Sequence, residues 1–346
     1  MQVDAAAAAW ATSAFAQKLA SMLAASSVRI LDCRRLSGGA IQQNFVLDVD
    51  IRDGQWSALR RLVLRADSAS NVGASRPREQ EYALLVAAFE AEIIVPHPLG
   101  LHCADTSWPA FMLMTYVDGE ASGRRLTRAV VAPRRELLAA IGGNLANVHR
   151  MRTVGSLRAL LGAPPPLPTR DLIASYRDSI AQWHAHTGDS RPVLLWTLRW
   201  LAARAPCAET AVLVHRDYRV GNLLVDGDRL TATLDWEFAG WGNPCEDLGW
   251  FYAPCWRFAR PDLEAGGVGD IADLLRGYNQ RARTAHAPGD LHFWQVLGQL
   301  RWAVIALQQA LRFVHAKERS LELALTGRML PELEWQLLHM TGDTFG

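Results

Sequence analysis

The chain has 346 residues, half of them apolar and 21% charged, which excludes a disordered or solvating polymer and allows one large domain or two lobes. Thirty-six basic residues stand against thirty-five acidic ones, so a formal charge of +1 offers no electrostatic footprint for nucleic acid or an anionic membrane. Lys18 and Lys317 are the two lysines, and the other 34 basic residues are arginine, so a site that needs a lysine has two candidates.

Asp4 followed by five alanines reads as a capped helix start, and with no basic stretch before it the N-terminus does not read as a secretory signal. Val28 to Ala66 carries short apolar runs broken by Ser37-Gly38-Gly39 and Asp53-Gly54, the pattern of three antiparallel strands. Arg78 to Glu90 has helical spacing, and two further strands are expected around Ile93–Val95 and Ala110–Val117. Beyond Asp118-Gly119 the texture turns helical, with amphipathic stretches at Leu137–His149, Asp171–Trp183, Leu194–Ala203, Ile271–Tyr278 and Phe293–Phe313. Pro164, Pro165, Pro166 and Pro168 mark a loop. Trp302 to Leu307 is apolar but meets Gln308 and Gln309 long before spanning length. Five cysteines form an odd set without zinc-type spacing, so a disulfide framework or structural zinc is not expected, and the default compartment is cytoplasmic.

One segment of the helical half differs. Val212–Val214 reads as a short strand, His215–Tyr218 as a polar loop, and Leu223–Val225 with Leu230–Leu234 as a hairpin around Asp226-Gly227. Asp235 follows directly. The spacing His215-x-Asp217-x4-Asn222, with Asp235 after the hairpin, suits phosphoryl transfer from ATP. That reaction needs a carboxylate to orient or deprotonate a hydroxyl, and hard oxygen ligands for magnesium between the phosphates. The alternative is a polar loop with helix-capping Asp and Asn.

His215–Leu224, Leu234-Asp235-Trp236-Glu237 and Gly242-Asn243-Pro244-Cys245-Glu246-Asp247-Leu248-Gly249 resemble the aminoglycoside phosphotransferase (choline kinase-like) family. The resemblance runs from Leu36 to about Phe313 and is most specific in these motifs. It implies an α+β, protein-kinase-like fold with a small antiparallel-sheet N-lobe and a larger, mainly helical C-lobe. The implied boundaries are 1–117 for a nucleotide-binding lobe with its leading helix, and 118–346 for a catalytic and acceptor-binding lobe. It further implies Asp217 as catalytic base, Asn222 and Asp235 as magnesium ligands, and His215 and Asp247 as structural support for the loop. Arg216 stands where the family usually has glycine, as in protein kinases.

In the first half, Leu36 to Asn44 resembles the family's phosphate-covering loop, with Gly38 and Gly39 permitting close backbone approach to phosphate oxygens. Leu62-Val63-Leu64-Arg65 resembles the third strand, where kinases carry a phosphate-gripping lysine; here Arg65 fills the role or the role is empty. Glu79 and Glu81 compete as its helix partner, and the family's Glu-aromatic pair favours Glu81. Met114 and Tyr116 fall at the hinge that touches adenine through backbone groups. Glu237, two residues after Asp235, either assists the metal or is a solvated loop residue. Trp241 and Trp256 either line an acceptor pocket or pack the core. The arginines at 124, 125, 128, 134 and 135 form a solvated face or contact an anionic substrate, while His184 and His186 read as surface residues.

The resemblance thus implies an ATP- and Mg2+-dependent phosphotransferase acting on a hydroxyl of a small molecule. From Glu246 onward twelve acids meet ten bases, which is no acidic excess for a polycationic sugar, so the acceptor is not expected to be an aminoglycoside. Asp235-Trp236-Glu237 and Leu300-Arg301-Trp302-Ala303 resemble the acyl-CoA-dehydrogenase-associated branch more than the resistance enzymes. An aminoglycoside or macrolide phosphotransferase, and a nucleotide-binding scaffold without activity, are the alternatives.

Overall fold

Alternating burial along the early strands sets the layout of the N-terminal part of the chain. In the computed structural model, which describes residues 5–36, 43–67, 75–153, 155–258, 260–314 and 321–342, this part opens with two short helices, α1 (Ala5–Ala8) and α2 (Ser13–Met22). The leading helix is therefore two pieces. The longer one is capped by Thr12, whose hydroxyl accepts from the Phe15 N–H at 3.2 Å, while Asp4 lies outside the described residues. Strands β1 (Ser27–Arg35), β2 (Gln43–Arg52) and β3 (Ala58–Ala66) follow as expected. Helix α3 (Arg78–Glu90) then leads to β4 (Pro98–His102) and β5 (Phe111–Thr115), and the five strands form one antiparallel sheet in the order β1-β2-β3-β5-β4.

Period-two spacing puts Phe45, Leu47, Val49 and Ile51 of β2 on one face with Leu62, Leu64 and Ala66 of β3. Trp10, Phe15 and Leu19 cover that face, and the Trp10, Phe15 and Phe111 rings meet at centroid distances of 5.0 to 5.5 Å. The strand expected at Ile93–Val95 is displaced to Pro98–His102. Glu92 ends the helical turn with φ 58°, the Ile93 N–H bonds back to the Ala88 carbonyl, and Pro96 has no N–H to give a ladder.

The chain divides into two units, Met1–Asp118 with Thr231–Phe238, and Gly119–Leu230 with Ala239–Gly346. The first therefore also takes in the segment that carries Asp235 and Glu237. The second is mainly helical. It begins with α4 (Gly123–Arg128), α5 (Arg135–His149), α6 (Gly155–Leu161), α7 (Pro168–Thr187) and α8 (Pro192–Arg204). Pro168 opens α7 instead of belonging to the preceding loop, because a proline in the first turn lacks only an N–H that the helix does not use. Short strands β6 (Val212–Val214), β7 (Leu223–Asp226), β8 (Arg229–Thr233), whose residues from Thr231 on belong to the first unit, and β9 (Gly240–Gly242) follow in the chain. β6 pairs with β9, and β7 with β8 through the Asp226-Gly227 turn. Helices α9 (Cys245–Tyr252), α10 (Ile271–Ala282), α11 (His292–Val314), α12 (Leu321–Gly327) and α13 (Leu330–Gly342) complete the unit. Of these helices, α4, α6, α9, α12 and α13 were not expected from the periodicity.

Helices α5 and α10 approach so closely that two glycines are obligatory at their contact. A methyl group at Gly277 would collide with the Ala139 carbonyl, and one at Gly142 with the Leu274 carbonyl. Gly143 is different, since the nearest atom to a methyl there is the Gly277 oxygen at 3.8 Å. Gly277→Ala is expected to cost about 1–3 kcal/mol by overpacking. Gly143→Ala is expected to be neutral or stabilising by up to about 1 kcal/mol through helix propensity. Urea melts of the two variants check the contrast, and equal stability would contradict the packing.

Candidate active site

In the first unit, the centre of the site is a buried cation. Arg65 lies on β3 in register with Asn44 on one side and Met112 on the other, and its side chain is 10% exposed. Three carboxylates surround the guanidinium: Asp235 at 2.6 Å, Glu81 at 3.1 Å and Glu237 at 3.7 Å. Burial works against the charge of Arg65, but Asp235, Glu81 and Glu237 outweigh it and push the pKa above its ordinary value. Arginine suits this place because its planar fork can meet several oxygens at once.

Burial also decides between the two glutamates of α3. Glu79 is exposed, whereas Glu81 is 2% exposed and bonds both Arg65 and Arg78. Arg78, itself buried, donates from Nη2 to Asp67 Oδ1 at 2.7 Å and thereby holds Glu81 from behind. Glu237 is not a solvated loop residue: its side chain is 4% exposed, and its carbonyl accepts from the Arg76 N–H. Asp235 holds a φ of 67°, a left-handed conformation that costs a non-glycine residue about 1 kcal/mol or more and often marks functional positions. At the end of β5, the Tyr116 N–H already donates to the Arg61 carbonyl at 3.1 Å. Tyr116 therefore has no free N–H for a purine; the Val117 N–H has no partner among the described residues. Met114 is paired on both sides, with Val63 of β3 and Pro98 of β4. Gly38 and Gly39 lie outside the described residues.

The second unit holds the polar loop after β6. Asp217 is 8% exposed and its carboxylate accepts three hydrogen bonds: from Asn222 Nδ2 to Oδ2, from Trp250 Nε1 to Oδ1 at 2.9 Å, and from Arg219 Nε to Oδ1 at 3.1 Å. Asn222 also donates to the Asp217 carbonyl at 2.9 Å, so its amide is oriented with Nδ2 toward Asp217. Its Oδ1 has no hydrogen-bond partner among the described residues. A side-chain carbonyl fixed in this way is a hard oxygen donor of the kind magnesium accepts, and so is the Asp235 carboxylate.

Beneath the loop, Asp247 accepts from the backbone N–H groups of His215 and Arg216, both at 2.7 Å. It also bonds His149 Nε2 at 3.1 Å, and His149 Nδ1 bonds the Tyr278 hydroxyl at 2.9 Å. The fully buried His215 ring accepts from the Asp217 N–H at 3.2 Å. Arg216 holds φ 64°, a conformation those two backbone bonds stabilise. Burial acts to raise the Asp247 pKa. The His149 hydrogen bond, the charges of His149 and His215, and the His215 N–H outweigh it, so the net shift is downward.

Trp250, Arg219, Arg78, His149 and Tyr278 are residues that the sequence did not single out, because each meets its partner across a long stretch of chain or gives no local spacing. Trp256 is 6% exposed; it packs edge-on against Trp250 at 4.9 Å and lies under the Arg219 guanidinium at 4.5 Å. Trp241 is half-buried and donates to the Gly162 carbonyl. Arg124, Arg125, Arg128 and Arg135 are exposed, as are His184 and His186. All five cysteines are free thiols, and among the described residues no helix is long and apolar enough to cross a membrane.

The phosphotransferase enzyme family (APH) matches this chain over residues 32–288. The acyl-CoA dehydrogenase family member 11 of Pongo abelii is 29% identical over 287 residues, which is 77% of this chain and 35% of that protein. The chain spans about a third or less of the curated relatives it matches. Among solved structures, one from Ralstonia eutropha assigned to the aminoglycoside phosphotransferases superposes with a TM-score of 0.68 at 21% identity, covering 90% of this chain and 92% of that one. A thermostable mutant of aminoglycoside phosphotransferase APH(4)-Ia, in ternary complex with ADP and hygromycin B, gives 0.60 at 17% identity, with 96% and 100% covered. The shared fold is kinase-like.

The Asp247 network carries a pH signature. A carboxyl whose folded pKa lies below its unfolded one contributes stability that is present above the unfolded value, near 3.8, and is lost as pH falls through the folded value. Asp247→Ala leaves several buried donors unpaired and is expected to cost on the order of 3 kcal/mol at neutral pH. The variant is also expected to lose stability less steeply than wild type below about pH 4. Thermal melts from pH 3 to 7 check this, and parallel curves would contradict it.

Proposed function

Since the chain belongs to the phosphotransferase enzyme family, we propose that it transfers the γ-phosphoryl group of ATP, with Mg2+, to a hydroxyl of a small molecule other than an aminoglycoside. The observation that carries this reading is the Asp217 loop. A carboxylate held by three donors from Asn222, Trp250 and Arg219 is a fixed base, and the same asparagine keeps an oxygen available for a hard cation.

Asn222 and Asp235 would hold a magnesium ion, which would supply neutralisation of charge on the phosphates. Asp217 receives the acceptor's proton as its oxygen bonds to phosphorus and the bond from phosphorus to the leaving ADP oxygen breaks. Arg65 restrains the phosphates in place of the usual lysine, and Glu81 with Arg78 fixes its direction. The covering of the phosphates is assigned to Gly38 and Gly39 on the sequence resemblance alone, since both lie outside the described residues. At the hinge, the engaged Tyr116 N–H moves the adenine contact to the Val117 N–H, with Met114 holding the strand beside it. Positioning and electrostatics supply most of the rate. We assign residues 1–117 to nucleotide binding and 118–346 to catalysis and the acceptor, and place the reaction in the cytoplasm, a reading supported by the free thiols.

The likeness to acyl-CoA dehydrogenase family member 11 supports an acceptor outside the aminoglycosides, because it reaches higher identity than the likeness to the hygromycin-bound structure. A nucleotide-binding scaffold is the second reading, favoured by the missing strand lysine and by the bond that ties Asp235 to Arg65. ADP release with panels of aminoglycosides, macrolides, amines and hydroxyacyl compounds separates the readings. Asp217→Ala is expected to reduce turnover about 10²–10⁴-fold with little change in ATP affinity. Arg65→Ala is expected to weaken ATP binding and turnover together. An aminoglycoside substrate with a micromolar KM would overturn the acceptor assignment. Tight Mg-ATP binding with no acceptor turned over would favour the scaffold.

A further inference from the structure

Helices α8 and α13 of the second unit carry apolar residues on both sides. Inward they bury Leu194, Leu198 and Leu201 of α8, and Leu330, Leu333 and Leu337 of α13. Outward, Leu195 and Trp196 of α8 are 39% and 37% exposed, and Trp335 and Leu338 of α13 are 60% and 45% exposed. A surface helix ordinarily turns charged or polar residues to water, and a helix that is apolar all round is one that is covered on every side.

The two outer faces form one patch. Arg191 Nη1 pairs with Glu334 Oε2 at 3.3 Å, and Trp196 Nε1 donates to Thr341 Oγ1 at 3.1 Å, so the helices run side by side in the same direction. Leu195 lies one helical turn beyond Arg191, and Leu338 one turn beyond Glu334, which brings the two leucines alongside each other. Trp335 is held ready for contact. The His339 ring lies against it at a centroid distance of 4.1 Å, and His339 Nδ1 bonds the Trp335 carbonyl at 2.8 Å. An aromatic ring ordered before binding loses little entropy on binding, which suits an interface anchor. The exposed charges around the patch, Arg199 and Glu332, are of opposite sign and present no single-sign field to nucleic acid or anionic lipid.

We propose that this face is the two-fold interface of a homodimer, with the α13 helices of the two copies packed antiparallel and Trp335 of one protomer against the partner's Leu338. Two-fold symmetry makes that contact twice, since each protomer offers the same patch. The alignment also brings Glu332 within reach of the partner's His339, an acid facing an imidazole. At their stated exposures, the two tryptophans and two leucines leave on the order of 400 Å² of apolar surface open, within the range of patches that serve function on a monomer. That is about half of the roughly 800 Å² that a standard interface takes from each partner, the usual apolar centre inside a polar rim. A face inserted in a membrane would instead carry an excess of basic residues at its edge, and here Arg199 is matched by Glu332.

Sedimentation velocity of the full chain between about 1 and 100 μM tests the interface without ligand or turnover. The wild type is expected to pass from one to two chain masses over that range and to stop there. Trp335→Ala is expected to weaken the dimer at least about tenfold, the scale of a central aromatic anchor, and Leu338→Glu to leave monomers throughout. Leu59→Glu, which alters a leucine 70% exposed in the first unit, is expected to leave the dimer intact. All three positions are exposed, and circular dichroism melts of the dilute monomers certify the fold of each variant. A wild type that stays monomeric at 100 μM would overturn the proposal, and its co-flotation with neutral phosphatidylcholine vesicles, lost in Leu338→Glu, would assign the face to a membrane. A dimer unchanged in both Trp335→Ala and Leu338→Glu would overturn it as well, as would growth beyond two chains. None of these outcomes depends on the phosphotransferase reading.

Discussion

A guanidinium buried in the middle of a five-stranded sheet is tolerable only when carboxylates surround it, and Arg65 meets that constraint with three. The consequence spreads through the first unit. Glu81 must be buried to reach Arg65, and a second guanidinium, Arg78, must be buried to hold Glu81. The segment 231–238 must in turn run along this unit for Asp235 and Glu237 to complete the set. That segment is secured by backbone bonds as well, since the Thr233 N–H donates to the Ile94 carbonyl and the Arg76 N–H to that of Glu237. A lysine at position 65 would satisfy fewer oxygens, which gives the substitution a structural rationale.

The second unit meets a comparable constraint in its own way. The loop after β6 has backbone N–H groups that no strand partner takes, and Asp247 accepts from two of them while His149 and Tyr278 hold Asp247. His149 ends α5 and Tyr278 lies on α10, so the glycine contact between these helices also sets the distance at which the brace closes. The left-handed backbone at Arg216 is part of the same arrangement. Its cost is met by the bonds to Asp247 and by the Arg216 side chain, which donates to the Trp241 carbonyl.

Much of this was legible in the sequence where the signal is local. Asp217 and Asn222 sit five residues apart on one loop, and their spacing singled them out together; the structure joins them by a hydrogen bond. The three strands between Val28 and Ala66 were legible because turn residues break the apolar runs there. Local signals failed where a long-range partner decides. Trp250 and Asp217 are 33 residues apart, and nothing near Trp250 announces a hydrogen bond to a carboxylate. Ile93-Ile94-Val95 looks like a strand by composition, yet the ladder begins beyond Pro96. Glu79 and Glu81 are the same letter, the aromatic that follows Glu81 favours it, and of the two Glu81 is the buried one.

Thermal unfolding with ATP alone, Mg2+ alone and both together is the most direct measure of the proposed nucleotide site. A ligand that binds only the folded chain raises the melting temperature by mass action. The account requires a clear rise with millimolar Mg-ATP and little with ATP alone, because the proposed ligands Asn222 and Asp235 would act on the phosphates through the metal. Superimposable curves in all conditions would contradict it.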